Sequence, residues 1–435
     1  MNYIEQLESL QPAELIGSVV RTEGLMAAVE GFPAPVGAAV EIYADYGPPI
    51  EAEVVAFRNQ QTLVYPFAEM KGVRHGNRVR LKSTNRYLRV GEGLLGRIVN
   101  AHGHVIDGRP EPGRPGRTAL AALPPRAVDR PRIDQPLTTG IRAIDGMLTC
   151  GQGQRIGIFS GSGVGKSVTL GMMARHTAAD INVIALIGER GREVNDFIER
   201  DLGPAGLAKS VVVVATSDEP ALMRVQAAMG ATSIAEYFRG LGLNVLLIMD
   251  SLTRFAMAQR EIGLAANEPP ATRGYPPSVF AMLPRLVERA GRDQVGSITS
   301  FYSVLVEGDD LEEPVSDAVR GLLDGHVVLS RQLASQGHYP AIDVLGSISR
   351  VMPEVISDEH QSAALKIRQV MGVYKQHEDL ISIGAYRAGT NPQVDIAISL
   401  RDEINQFLRQ HTSESCTVET ARDAILRIAA KIQSM

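Results

Sequence analysis

One stretch limits the possible fold more than any other. Residues 155–167 read Arg-Ile-Gly-Ile-Phe-Ser-Gly-Ser-Gly-Val-Gly-Lys-Ser, and a helix-compatible run, Val168 to His176, follows directly. An apolar strand that enters a glycine-rich turn and leaves it as a helix exposes successive backbone N–H groups beside a positive helix end, which is a site for phosphate. In such a turn a lysine reaches the β- and γ-phosphates and the hydroxyl after it holds Mg²⁺. The segment Ser160, Gly161, Ser162, Gly163, Val164, Gly165, Lys166, Ser167 and Val168 is therefore the expected nucleotide cradle, with ATP and Mg²⁺ as its ligands. The pattern normally opens on glycine; Ser160 stands there, and a small residue suffices where φ is negative. The competing reading, a chance glycine-rich turn, does not explain the strand before it and the helix after it.

Composition agrees with a large folded chain. At 435 residues, 44% hydrophobic and 21% charged, the chain has material for about three domains. No run approaches the ~18 apolar residues of a membrane span, and the N-terminal residues lack a basic region followed by an apolar stretch. Two cysteines, Cys150 and Cys416, form no disulfide framework, so a reducing cytoplasm fits. The net charge of −5 argues against a protein that coats nucleic acid. Only seven of the 44 basic residues are lysines, and one of them, Lys166, stands where a compact ammonium is needed.

Along the chain, Tyr3, Ile4, Leu7 and Leu10 fall at helical spacing before Pro12, which predicts a short amphipathic helix over 1–12 or else a frayed end. Six short alternating or β-branched stretches between Gly17 and Lys82 predict a small barrel or sandwich. Prolines and glycines make 100–136 loop-like; His102 and His104 there read as a solvated turn rather than a metal site. From about 137 to 350, apolar runs (155–160, 181–188, 210–216, 244–250, 296–306 and 325–330) alternate with helical patterns, as in a doubly wound α/β domain with a mainly parallel sheet. Helices are expected at 358–377, 393–410 and 417–433.

Two carboxylates belong with the cradle. Asp250 closes the apolar run Asn-Val-Leu-Leu-Ile-Met, which places it at the carboxyl edge of the sheet, where ligands bind. It is expected to hold Mg²⁺ through water; the alternative is an N-cap for the next helix. Glu189 emerges after the run 181–188, at the same edge, where a carboxylate polarises the water that attacks the γ-phosphate. Arg190 beside it is placed to contact phosphate, and Glu193, one turn on, to hold Mg²⁺-bound water. The alternative for all three is an exposed salt-bridge cluster.

Taken together, GSGVGKS, GERGREV, LLIMDSLTRFA, PPATRGYPPSVFAMLPRLVERAG, EGDD and GHYPAIDVLGSISRVMP resemble the ATPases of type III protein export, in particular the flagellar version, a family similar to the catalytic subunit of rotary ATP synthases. The resemblance spans roughly 17–435. It implies an N-terminal β-barrel (13–88), a RecA-like P-loop core (89–352) and a C-terminal helical domain (353–435), with 1–12 as a docking helix. It also implies that Lys166 and Ser167 serve the phosphates and metal, that Glu189 is the general base and Asp250 the metal-side acid, that Tyr339 stacks on adenine, and that Arg350 is an arginine finger for the neighbouring subunit. Tyr386 is a weaker candidate for a second adenine-side aromatic.

A chain carrying both base and finger closes a ring of identical copies, so a homohexamer is expected. The other partners implied are a stator-like regulator at the N-terminal helix, a central stalk, export chaperone–substrate complexes and the export gate, with the ring in the cytoplasm against the inner membrane. The acidic loop Glu307, Asp309, Asp310, Glu312 and Glu313 reads either as a solvated loop or as one facing the pore. Competing functions are a virulence injectisome ATPase, a non-catalytic ring subunit, which would be expected to lack Glu189, and a hexameric RNA helicase. The N-terminal region shows no basic, aromatic-interleaved surface for RNA.

Overall fold

A computed structural model describes residues 14–434, apart from 307 and 309. The expected docking helix over 1–12 lies outside the described residues, as do Glu307 and Asp309 of the acidic loop.

The six short runs form a closed barrel. Its strands are Ile16–Glu23, Met26–Glu30, Ala39–Ile42, Ile50–Arg58, Gln61–Pro66 and Arg78–Ser83, and in spatial order they run first, second, fifth, fourth, third, sixth. Closure removes the sheet edges, and Val19, Ala27, Val29, Val40, Val54 and Val79 fill the interior. The barrel ends before Tyr87–Val90, which pairs instead with Gly116–Ala119, so the expected boundary at 88/89 falls inside a strand of the connecting region. His102 in that region is half-buried: its ring packs edge-on against Phe67 at 4.9 Å and its Nδ1 lies 3.3 Å from Arg86. Among the described residues no group of three or more His, Cys, Asp or Glu side chains is arranged to hold a metal.

The core is a nine-stranded sheet. Across it run Ile342–Ser349, Gly325–Leu329, Arg155–Ser160, Ser297–Leu305, Asn244–Asp250, Ile181–Glu189, Ser210–Thr216 and Arg97–Asn100, with Gly291–Arg292 paired to the side of Ser297–Leu305. All the main pairings are parallel except that of Ile342–Ser349 with Gly325–Leu329. The central strands are mainly apolar because both faces are covered. Val183, Ala185 and Ile187 pack on one side with the helices Ala221–Gly240, Leu252–Ala265 and Pro277–Val287. Ile184 and Leu186 pack on the other with the helix Lys166–His176. This is the period-two alternation of a buried strand.

The C-terminal helices Asp358–Ser382, Pro392–Leu408 and Val418–Ser434 share that second core through Ile367, Leu400, Phe407 and Ile425. Gly146 allows their close approach: a Cβ there would lie 2.8 Å from the Phe407 ring. Gln410 stitches the seam by accepting from Arg142 N at 2.8 Å and donating to Gly140 O at 2.7 Å. Among the described residues no helix is long and apolar enough to cross a membrane.

Candidate active site

Parallel strands deliver their carboxyl ends to one edge of the sheet, and three of the expected side chains meet there. The turn after Arg155–Ser160 carries Gly163 at φ 79° and Gly165 at φ 88°, left-handed conformations that disfavour a side chain. The helix then starts at Lys166 with no side-chain cap on its first N–H groups, so the turn leaves donors available. Ser160 is buried and its Oγ has no hydrogen-bond partner. Ser167 and Val168 are exposed at the mouth.

Lys166 reaches across to two other strands. Its ammonium pairs with Asp250 and lies 3.7 Å from Glu189 Oε1. All three side chains are largely buried, at 12% exposure for Lys166, 12% for Glu189 and 4% for Asp250. The Glu189 carboxyl is held above its ordinary pKa, first by burial and then by the negative charge of Asp250, with Lys166 opposing. Asp250 does not cap the following helix. Ser251 does, accepting from Arg254 N at 3.2 Å.

Two neighbours were not singled out from the sequence. Ser303, fully buried on the adjacent strand, donates to Asp250 Oδ1 at 2.6 Å. Arg254 runs beside Gly188, where a Cβ would meet its stem at 3.1 Å, and its charge opposes the upward shift of Glu189.

The remaining candidates separate into four groups, Arg350 being the last. Arg190 and Glu193 are exposed and pair with each other at 3.7 Å, and Glu193 also hydrogen-bonds the Glu189 carboxyl. Tyr339 is 46% exposed and lies against the cradle, since a Cβ on Gly165 would sit 3.5 Å from its ring. Tyr386 is tied to its own loop, its hydroxyl bonding Asn391 O at 3.0 Å and Asp395 Oδ1 at 2.9 Å.

Arg350 is not brought to the cradle. The strand Ile342–Ser349 runs antiparallel to its neighbour, with Ile342 opposite Leu329 and Ser349 opposite Gly325. Ser160 is in register with Leu329. The strand therefore starts near Tyr339 at the ligand edge and ends with Arg350 at the other edge. At ~3.3 Å per residue the separation is about 25 Å along the sheet. There Arg350 donates to Leu323 O at 3.2 Å.

Known proteins resemble this chain in sequence and in fold. The nucleotide-binding domain of the ATP synthase alpha/beta family matches residues 140–349, and the type III secretion system EscN ATPase C-terminal domain matches 356–427. The chain is 50% identical over 424 residues to the flagellum-specific ATP synthase of Bacillus subtilis, covering 97% of each. It is 46% identical over 424 residues to the type 3 secretion system ATPase of Xanthomonas euvesicatoria, covering 97% of this chain and 96% of that one. The assembled ATPase EscN of the enteropathogenic Escherichia coli type III secretion system superposes with a TM-score of 0.90 at 45% identity, over 95% of this chain and 100% of that one. The same ATPase in complex with its central stalk EscO gives 0.88 at 44% identity, with the same coverage. With a phosphate-binding turn, a lysine between two carboxylates and relatives of this identity over nearly its whole length, the chain belongs to the family of flagellum-specific and type 3 secretion ATPases.

Proposed function

We propose that this chain is the Mg²⁺-dependent ATPase of a flagellar type III export apparatus, hydrolysing ATP at the interfaces of a homohexamer to deliver or unfold export substrates. The observation that carries the proposal is the buried ammonium of Lys166 set between Asp250 and Glu189 at the end of the cradle.

The residues fit the ligands. Two glycines with positive φ, an uncapped helix start and the orphaned Ser160 Oγ supply donors and an open backbone for a triphosphate. Ser167 and Asp250 offer oxygen ligands suited to a hard cation, and bound Mg²⁺ would neutralise charge that develops on the phosphates.

Lys166 then exchanges its carboxylate partner for the β- and γ-phosphates. Glu189 polarises the attacking water; its raised pKa suits a base working near neutrality. Tyr339, beside Gly165, stacks on the adenine. Arg190 and Glu193 face solvent in a single chain and would act on phosphate and on metal-bound water once a neighbouring copy covers them.

Arg350 serves the next subunit, because it lies at the edge of the sheet away from its own cradle. The assembled form of EscN supports the ring, and its complex with EscO supports a central stalk. A regulator at the N-terminal segment, chaperone–substrate complexes and the export gate complete the partners, with the ring on the cytoplasmic side of the inner membrane. A second reading, an injectisome ATPase, is favoured by the superposition on EscN; restoring motility or effector secretion in matched deletion strains separates the two.

Glu189→Gln tests the chemistry. The amide keeps the shape without the base, so the variant binds ATP with little loss while turnover collapses by ~100-fold or more. Steady-state hydrolysis with fluorescent-nucleotide titration reads both. Retained turnover, or lost binding, would return Glu189 to a structural salt bridge.

A further inference from the structure

A second cavity, of about 190 Å³, lies where the C-terminal helices meet the core. One wall is formed by the helices Asp358–Ser382 and Pro392–Leu408, and the other by residues 330–338 and the start of the strand Ile342–Ser349. Val370, Met371, Ile404 and Leu408 give it an apolar lining.

The polar part of the lining is unevenly paired. Lys375 has Asp343 at 3.7 Å. Arg401 and Arg409 also line the cavity, and neither forms an ion pair among the described residues. Arg401 stacks its guanidinium over the Tyr374 ring, 4.5 Å from the centroid, which leaves the edge N–H groups for a ligand. Glu378 is the other carboxylate on the wall, so the charged lining is net positive. His338, only 3% exposed, lines the same space, and its Nε2 is buried without a partner.

Size and chemistry narrow the occupant. The space is below the ~300–1,000 Å³ of drug-sized pockets, so the ligand is small. An apolar lining beside two unpaired guanidinium groups selects a molecule with an apolar body and an anionic end, because arginine recognises carboxylate through a planar fork. A larger cleft of about 750 Å³ around Tyr339 shares Arg401, Asn405 and Arg409 with this cavity but none of its apolar lining. We propose that the cavity binds a small organic carboxylate, its apolar body against Val370, Met371 and Ile404 and its carboxylate on Arg401 and Arg409.

Met371 supplies the reporter. The full chain, labelled with ¹³C at its methionine methyls, is titrated with butanoate, hexanoate and benzoate, with the matched primary amides, and with inorganic phosphate. Met371→Leu assigns the resonance. The expected result is a saturable Met371 shift with at least one carboxylate, roughly ten-fold or more weaker binding of its amide, and no Met371 shift with phosphate. Arg409→Gln, an exposed change that leaves the fold intact, weakens the carboxylate by roughly ten-fold or more; Arg401→Gln does the same. The proposal is overturned if none of the carboxylates saturates, if the amides bind equally, if phosphate alone produces the shift, or if both arginine variants bind as the parent does.

Discussion

Asp250 sits between a lysine ammonium and a serine hydroxyl, and the hydroxyl is the less conspicuous of the two. The 2.6 Å bond from Ser303 fixes one carboxylate oxygen of a side chain that is almost fully buried. Ser303→Ala removes one donor while Lys166 still donates to the same oxygen, so the cost in stability is about 1 kcal/mol. If the bond holds Asp250 in its working position, turnover falls by roughly ten-fold, and more Mg²⁺ is needed for half-maximal rate while the melting temperature changes little. A Mg²⁺ titration of ATPase rate checks this; an unchanged midpoint and rate would make Ser303 a packing residue only. The sequence reading found Lys166, Glu189 and Asp250 because each ends or follows an apolar run, and parallel strands carry such positions to one edge. It did not find Ser303, which lies within a strand 53 residues further along the chain. Its contact with Asp250 depends on strand order and register, which residue periodicity does not encode. Arg254 escaped for a similar reason: on a helix its direction is set by the tight turn at Gly188.

At the scale of elements, the cradle turn is set by backbone conformation more than by space. A Cβ on Gly165 would make only an ordinary 3.5 Å contact with Tyr339, but φ is 88°. Gly165→Ala therefore costs about 1–2 kcal/mol from conformation alone and shifts the N–H groups of the turn. Urea unfolding and ATP affinity should both report it, and an alanine that leaves both untouched would contradict the geometry. The loop after the edge strand Arg97–Asn100 is held differently. Arg97 donates to Asp107 at 2.7 and 2.8 Å with both side chains below 10% exposure. The bond from Arg97 holds the Asp107 carboxyl well below the usual range, aided by Arg109. A lowered folded pKa contributes stability that is present above the unfolded value of ~3.9 and is lost as pH falls through the folded value. Asp107→Asn should lower stability near neutrality by leaving Arg97 without its charge partner. The gap to the parent should narrow in urea melts below pH ~4; a gap constant with pH would contradict the pairing. That edge strand follows Gly91, Gly93 and Gly96, and its four residues are too few to show a period. The strand Ile342–Ser349 was visible only as part of a motif, because its small and polar residues dilute the apolar signal.

Over the whole molecule, the all-β N-terminal region, the sheet and the C-terminal helices were legible from texture, since each has its own periodicity; texture alone did not separate a barrel from a sandwich. Their assembly was not. The separation between Arg350 and the cradle follows from a single antiparallel pairing at the edge of the sheet. That pairing is the basis of the proposed ring: a lone chain holds Lys166, Glu189 and Asp250 together but keeps its arginine about 25 Å away along the strand. Hydrolysis per chain should then rise with protein concentration, and Arg350→Ala should form rings that remain slow, because arginine fingers contribute roughly 10³–10⁵ in related phosphoryl transfers.

The most direct test of a site shared between copies mixes two inactive variants. Under the proposed roles, Glu189→Gln lacks the base and keeps the finger, and Arg350→Ala lacks the finger and keeps the base. In mixed rings some interfaces pair an intact base with an intact finger, so ATPase activity should reappear on mixing. A mixture as inactive as its parents, in rings shown by native mass measurement to contain both variants, would contradict an active site completed by the neighbouring copy.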